Sequence, residues 1–170
     1  MEIKMFYIVI LLLFINCETK SQIDTNQFSK NVLYLEIGGL GSYGSLNYER
    51  VMFIKSKTLI TGRIGIGTYS IMDYTSSYNP DIFIPITING LLGKNHKIEL
   101  GVGQTISNII QANHSNWEPE RETSLHANFT IGYRYQKDTR GMIFRCSYTP
   151  VIEFYKYYRH WAGLSIGYAF

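Results

Sequence analysis

The sequence is poor in charged residues, cysteine and long apolar runs, and each shortage excludes a class of protein. Charged residues make up 17% of the 170 positions, against about 25% in an ordinary soluble domain. The two cysteines are Cys17 and Cys146. Because Cys17 adjoins an apolar segment at the chain start, we expect no disulfide framework, and we interpret Cys146 as a small apolar residue on a strand. No Cys/His spacing matches a zinc site, so we expect no metal and no cofactor.

Strong net charge and helical periodicity are missing as well. The formal net charge is +3, and no Lys/Arg run or aromatic–basic ladder appears, so we expect no nucleic-acid partner. After Lys30, no long stretch repeats apolar residues at three- and four-residue spacing, which argues against an α-helical domain. The length fits a single domain.

The first residues have the layout of an export signal. Lys4 precedes an unbroken apolar run, Phe6–Ile15, which has about half the ~20 residues that a spanning helix needs. The small residues in Thr19–Ser21 predict cleavage at the end of this tripeptide. We therefore assign residues 1–21 to a signal peptide and residues 22–30 to a flexible lead.

A lipoprotein signal is the competing interpretation of this segment. Cys17 follows Phe14, Ile15 and Asn16, an order that resembles a lipoprotein processing box. Asn16 is bulky where a small residue is usual, which favours ordinary cleavage over lipidation of Cys17.

What the chain does have is alternation with a period of two. Fourteen tyrosines and fifteen glycines suit a twisted all-β structure, because aromatic rings cover pleated surfaces and glycine permits close approach. Eight alternating segments are predicted as strands: Asn31–Gly39, Gly44–Phe53, Thr58–Thr68, Asp81–Leu91, His96–Thr105, Thr123–Tyr135, Gly141–Thr149 and His160–Phe170. Each is near the about 9–11 residues that a tilted strand needs to cross a membrane.

The lengths of the connections indicate how these strands are arranged. Connections after the second, fourth and sixth strands are short, whereas those after the third, fifth and seventh are long. Only the first hairpin, around Leu40–Tyr43, is short where a long loop is expected. Short turns on one side and long loops on the other are typical of outer-membrane barrels. The pattern predicts an eight-stranded antiparallel up-and-down transmembrane β-barrel over residues 31–170, with both termini on the periplasmic turn side.

Charged residues lie opposite the apolar face of these strands. The set holds three acids and three bases: Glu36, Glu49, Arg63, Glu99, Arg134 and Arg145. An eight-stranded barrel is just wide enough for side chains to fill it. We therefore predict that these charges pair in the interior together with Tyr34 and leave no open channel, because an unpaired buried charge is costly. A soluble barrel with the charges on its solvated outer face is the alternative.

The end of the chain resembles the C-terminal strand of bacterial outer-membrane barrels. The segment Gly163–Phe170 alternates apolar residues up to a terminal Phe. In those proteins this pattern is read by the barrel-assembly machinery, so the resemblance implies that machinery as a partner. The implied assembly signal consists of Leu164, Ile166, Tyr168 and Phe170.

Three further segments, Leu46–Arg50, Ile84–Gly93 and Ile131–Gln136, resemble small outer-membrane proteins of Bacteroidetes-type bacteria. The resemblance covers most of the chain after the signal. It implies a location in the outer membrane of a Gram-negative bacterium, contact with its lipid and lipopolysaccharide, and a monomer. It carries no activity over to particular residues.

Two clusters invite sharper hypotheses. Candidate loop contacts, which would meet lipopolysaccharide or form an interfacial aromatic girdle, are Trp117, Tyr155, Lys156, Tyr157, Tyr158 and Arg159. His126 and Asn128 resemble part of the His-x-Ser-Asn stretch of outer-membrane lipid A deacylases, but Ala127, directly before Asn128, stands where that stretch needs serine. Because a hydrolase without its nucleophile has lost its mechanism, we expect no enzyme. The expected role is structural or surface-interacting. The alternatives are a lipid-modifying barrel enzyme and a soluble periplasmic barrel that carries a small apolar ligand.

Overall fold

The computed structural model describes residues 28–112, 119–152 and 158–170. Its strands are β1 (Asn31–Gly38), β2 (Gly44–Lys55), β3 (Thr58–Thr68), β4 (Ile82–Gly93), β5 (His96–Ala112), β6 (Pro119–Gln136), β7 (Gly141–Tyr148), β8 (Val151–Ile152), β9 (Tyr158–Arg159) and β10 (Ala162–Ala169). A single 3-10 turn, Gly39–Gly41, is the other regular element in the described part of the chain. No helix among these residues is long and apolar enough to cross a membrane.

Eight of the strands close into an antiparallel barrel. Strands β1 to β7 pair in chain order, and β10 lies between β7 and β1. The pairing of β1 with β10 runs from Val32↔Ala169 to Gly38↔Gly163 and joins the two ends of the sheet. Full closure leaves no free edge between these eight strands, so each of them has backbone partners on both sides. The predicted fold is therefore confirmed, and the short strands β8 and β9 extend the sheet beside β6.

The hairpin of β5 and β6 is longer than predicted. Its pairing continues to Ala112↔Pro119, whereas the alternation in the sequence predicts that the strands end at Thr105 and begin again at Thr123. The apolar alternation stops where one face no longer needs to be apolar. Backbone pairing continues beyond that point because it does not depend on side-chain polarity.

Side-chain burial is inverted relative to a soluble sheet. On β1, Leu35 and Ile37 are 59% and 76% exposed, whereas Tyr34 and Glu36, which alternate with them, are each 1% exposed. The same alternation continues around the barrel, with apolar residues outward and polar or charged residues inward. Among the described residues, two small clusters of buried apolar side chains lie near the turn end, Val32–Tyr34–Ile143–Ala169 and Val51–Leu59–Leu91.

The first hairpin is short because it folds into the mouth of the barrel. Leu40 is 3% exposed, and the Thr105 hydroxyl donates to its carbonyl oxygen at 3.3 Å. The backbone reaches this position through positive φ angles of 73° at Gly38 and 74° at Gly39, a conformation that glycine adopts without strain. A side chain at Gly39 would also collide with the Glu36 carboxylate. The turn thus covers the interior from the loop side.

Candidate functional site

The barrel interior holds a continuous network of ion pairs. Six strands contribute one charged residue each: Glu36 from β1, Glu49 from β2, Arg63 from β3, Glu99 from β5, Arg134 from β6 and Arg145 from β7. All six side chains are at most 2% exposed. They face inward because each occupies the strand parity opposite to the apolar residues.

Arg134 makes the most complete contacts of the network. Its Nη1 and Nη2 atoms lie 2.6 and 2.8 Å from the two carboxylate oxygens of Glu49. Its Nε donates to Glu99 Oε2 at 3.0 Å. A bidentate contact between a guanidinium and a carboxylate is among the strongest charge-assisted hydrogen-bond arrangements. One arginine of β6 therefore ties β2 and β5 together across the lumen.

Arg145 and Arg63 continue the network from there. Arg145 Nε lies 2.9 Å from Glu99 Oε2, and its Nη1 lies 2.5 Å from Glu36 Oε1. Arg63 pairs with the other oxygen of Glu36 and donates to Asn47 Oδ1 at 2.7 and 3.0 Å. The ion pairs form one unbranched chain in the order Arg63, Glu36, Arg145, Glu99, Arg134, Glu49. The chain contains three acids and three bases, so its six charges sum to zero.

Other interior groups support this chain. The Tyr34 ring lies 5.4 Å from the Arg63 guanidinium carbon and 5.9 Å from that of Arg145, within cation–π range. Lys97, which is 1% exposed, donates to Gln136 O at 2.9 Å and pairs with Asp138 at 3.0 Å. The sequence interpretation missed Asn47, Lys97 and Gln136 as members. Their strand parity was the available signal, because each lies two residues from a charged member on the same face.

His126 has a serine partner that the sequence analysis did not identify. Its Nε2 lies 2.6 Å from the Ser107 hydroxyl on the neighbouring strand, and Ser107 is 1% exposed. His126 Nδ1 has no hydrogen-bond partner among the described residues. Asn128 contacts the Thr105 hydroxyl at 2.7 Å instead of joining this pair. A hydrolytic triad also needs a carboxylate on the second imidazole nitrogen, so the geometry supplies two of its three members.

The loop end of the barrel carries ordered polar and aromatic contacts. Tyr43 and Tyr69 stack with ring centroids 4.5 Å apart, and Trp161 lies 5.9 Å from Tyr43. The hydrogen bond with Tyr69 raises the pKa of the Tyr43 hydroxyl. In the β3–β4 loop, the Thr75 hydroxyl lowers the pKa of Asp73 by donating to its carboxylate.

Several sequence-predicted residues fall outside what the structure describes. Residues 1–27, including Cys17, are among them, as are Trp117, Tyr155, Lys156 and Tyr157. For Tyr158 and Arg159 the structure describes the backbone alone, as strand β9. Cys146, by contrast, is described and faces outward from β7 as a free thiol.

The predicted assembly residues form the outward face of the closing strand. Leu164, Ile166, Tyr168 and Phe170 are between 45% and 64% exposed. Phe170 exchanges backbone hydrogen bonds of 2.8 and 3.0 Å with Asn31 at the start of β1. The barrel is therefore complete only when the last residues of the chain have paired with both β1 and β7.

The architecture and the inverted burial define the class of fold. The N-terminal β-barrel domain of OprF from Pseudomonas aeruginosa is similar in structure, with a TM-score of 0.59 and 15% identity over 85% of this chain and 98% of that one. The outer membrane protein Ail of Yersinia pestis has a TM-score of 0.50 and 10% identity over 84% of this chain and 99% of that one. No family model and no curated protein sequence matches. The chain therefore has the fold of small bacterial outer-membrane barrels.

The network predicts that Arg134→Gln destabilises the barrel strongly. The substitution leaves the Glu49 carboxylate buried without its partner, a loss of about 3–5 kcal/mol for a broken buried pair. The free energy of unfolding in urea, followed by tryptophan fluorescence in detergent micelles, measures the change.

Two further variants make this test specific. Lys57→Gln removes an exposed base and should stay within about 0.5 kcal/mol of wild type. Arg134→Gln combined with Glu49→Gln should recover part of the loss, because the stranded charge is gone. An Arg134→Gln protein as stable as the Lys57→Gln protein would contradict the importance of the network.

Proposed function

We propose that the chain is a non-enzymatic integral protein of the outer membrane, with a closed lumen and a structural or surface-interacting role. The apolar outer surface of the barrel is the observation that carries this proposal. Every barrel strand exposes large apolar side chains, for example Leu35, Leu46, Ile64, Ile88, Leu100, Ile131, Phe144 and Ile166, each 44% exposed or more.

Water is an unfavourable environment for such a surface. Exposed apolar area costs about 25 cal/mol per Å², and soluble monomers rarely expose contiguous apolar patches above a few hundred Å². Lipid removes this cost, and closure removes the unpaired backbone groups that lipid does not tolerate. A membrane environment therefore explains the surface and the topology together.

The two alternative functions find less support in the interior. A soluble carrier of an apolar ligand needs an apolar cavity, but the middle of this lumen is occupied by the Glu36, Glu99 and Arg134 region of the ion network. A lipid-modifying enzyme needs its reacting groups on the lipid face. Ser107 is instead buried in the interior beside His126.

The loop end is suited to contact with partners outside the cell. Arg121 near the end of the long β5–β6 hairpin donates to Asn79 Oδ1 and to Pro80 O, the latter at 3.2 Å. Asp81 accepts a 2.9 Å hydrogen bond from the Ile110 amide. These contacts attach the β3–β4 loop to the β5–β6 hairpin and order a surface that lipopolysaccharide would meet. The N-terminal end of β1 and the C-terminal end of β10 lie at the other end of the barrel, on the side of the short turns. We assign this side to the periplasm.

Cell fractionation tests the membrane assignment directly. We expect the protein in the outer-membrane fraction, resistant to a carbonate wash and soluble only with detergent, because its apolar band requires lipid or detergent cover. Folded protein should also migrate differently in gels before and after heating. Release by osmotic shock without detergent would support the soluble carrier instead.

The closed lumen predicts that the protein conducts no ions. Paired charges, the inward Leu40 turn and the apolar clusters at the turn end occupy the described interior, so we expect no continuous aqueous path through the barrel. Purified protein in planar lipid bilayers should show no stable conductance steps. Reproducible large steps would mean that the interior opens in the membrane.

The outward position of Phe170 predicts a defect in assembly when it is replaced by lysine. A charge on the lipid face costs up to about 2–4 kcal/mol at mid-membrane and less near the interface, so the thermodynamic effect at this terminal position should be small. A large loss of membrane yield in Phe170→Lys would therefore reflect failed recognition by the assembly machinery.

Phe170→Tyr is the matched control, because it keeps an aromatic ring at the chain end. We expect it to reach wild-type yield and to keep its heat-modifiable migration. Normal yield of Phe170→Lys would show that the chain end carries no assembly information.

A further inference from the structure

The turn end of the barrel carries a rim of basic side chains. Seven described bases at this end are exposed: Lys30, Arg50, Lys55, Lys57, Lys94, Lys137 and Arg140. Asp138 is the one exposed acid that the described residues place there, and it is bonded to the interior Lys97. None of the seven bases forms an ion pair with a described acid. The rim therefore has a strong, uncompensated positive charge within the described chain.

The basic residues are spread around the whole circumference. Lys55 and Lys57 flank the β2–β3 turn, Lys94 lies in the β4–β5 turn, and Lys137 and Arg140 lie in the β6–β7 turn. Lys30, which directly precedes β1, completes the circle.

Backbone hydrogen bonds hold neighbouring turns at one level. The Gly93 amide donates to Lys57 O at 2.9 Å, and the Gln136 amide donates to Asn95 O at 2.9 Å. The Ser29 amide donates to Asp138 O at 2.9 Å and joins the last turn to the chain before β1. The backbone positions that carry the basic side chains are thus fixed relative to one another.

The rim borders the outer apolar band directly. On the outward face of β2, the exposed Arg50 follows Tyr48 in the strand alternation and pairs in register with Asn31, the first residue of β1. Next to the turns, the outward side chains Phe53, Leu92 and Ile98 are 39%, 57% and 60% exposed. Long lysine and arginine side chains in such a position keep their stems on apolar surface and their charges at the polar boundary.

The opposite end has a different charge. Exposed or half-buried acids there include Asp73, Asp81, Glu120 and Glu122, with Arg121 between the last two. Among the described side chains, charge is therefore distributed asymmetrically along the barrel axis. Attraction to an anionic membrane surface, which falls off within about one Debye length, is favoured at the turn end by the described bases.

We propose that this rim binds the phosphate head groups of anionic phospholipids in the leaflet at the turn end. This inference rests on the membrane assignment above and names the lipid class that the barrel prefers. A leaflet surrounds the barrel on all sides, as the rim does, whereas a docked acidic protein or polymer would contact one side. The direct border with the apolar band also fits a ligand that has acyl chains below its anionic group.

Competition between two lipids tests the proposal. Purified full-length protein is folded into vesicles of equal parts phosphatidylglycerol and phosphatidylcholine with identical acyl chains, and the retained lipids are counted by native mass spectrometry. We expect wild type to enrich phosphatidylglycerol on the order of fivefold for each bound lipid. This factor corresponds to about 1 kcal/mol, the contribution of one basic residue near an anionic surface.

Charge-removing and charge-keeping variants locate the effect at the rim. Replacing one lysine in each turn with glutamine, in a triple variant of Lys57→Gln, Lys94→Gln and Lys137→Gln, should lower the enrichment clearly, because three of the seven rim bases lose their charge. The matched triple variant with arginine at the same positions should keep the wild-type ratio.

The outcomes separate this proposal from the membrane assignment. Equal retention of both lipids by wild type, or an unchanged ratio in the glutamine variant, overturns the proposed lipid preference. In either case heat-modifiable migration in the vesicles would still support an integral barrel. Failure of wild type to fold into these vesicles would instead overturn the membrane assignment itself.

Discussion

Charge pairing across the lumen constrains every strand that contributes to it. A strand presents alternate side chains to opposite faces, so a slip of one residue in β1 would turn Leu35 inward and Glu36 outward. Such a slip would leave Arg63 and Arg145 without their shared carboxylate and would place that carboxylate in the apolar band. The ion network and the apolar outer surface therefore require the same register. A strand that slipped by one residue would lose its ion pairs and its apolar outer face together.

The lumen and the two ends of the barrel follow from this constraint in different ways. In the middle, charges are neutralised by their neighbours, and the network can stay buried. At the turn end, Val51, Leu59 and Leu91 pack together inside while unpaired bases circle the outside. At the loop end, Leu40 closes the interior and Arg121 orders the loops. This axial asymmetry is the basis for our proposals that the turn end contacts an anionic leaflet and that the loop end faces the outside of the cell.

Sequence reasoning succeeded where a residue's environment depends on its neighbours along the chain. The alternation of Leu164, Ile166 and Phe170 predicts the closing strand because parity alone decides which face a side chain occupies. It was less accurate for the β5–β6 hairpin, where backbone pairing reaches Ala112 after the apolar pattern has ended. The inward fold of the first hairpin also escaped it, because a four-residue turn has no periodicity to interpret.

The sequence by itself determined the central part of each of the eight barrel strands, which side chains share a face, and that the three glutamates and three arginines of the network lie on the inward face. The tertiary structure decided which glutamate pairs with which arginine. Glu49 and Arg134 are 85 residues apart, and Glu36 and Arg145 are 109 residues apart, so no local pattern relates them. Their contacts exist because closure of the sheet places distant strands on opposite sides of a lumen that is just wide enough for side chains to fill. Which of three arginines lies opposite which of three glutamates is set by the stagger of the strands, and that stagger is a property of the closed barrel.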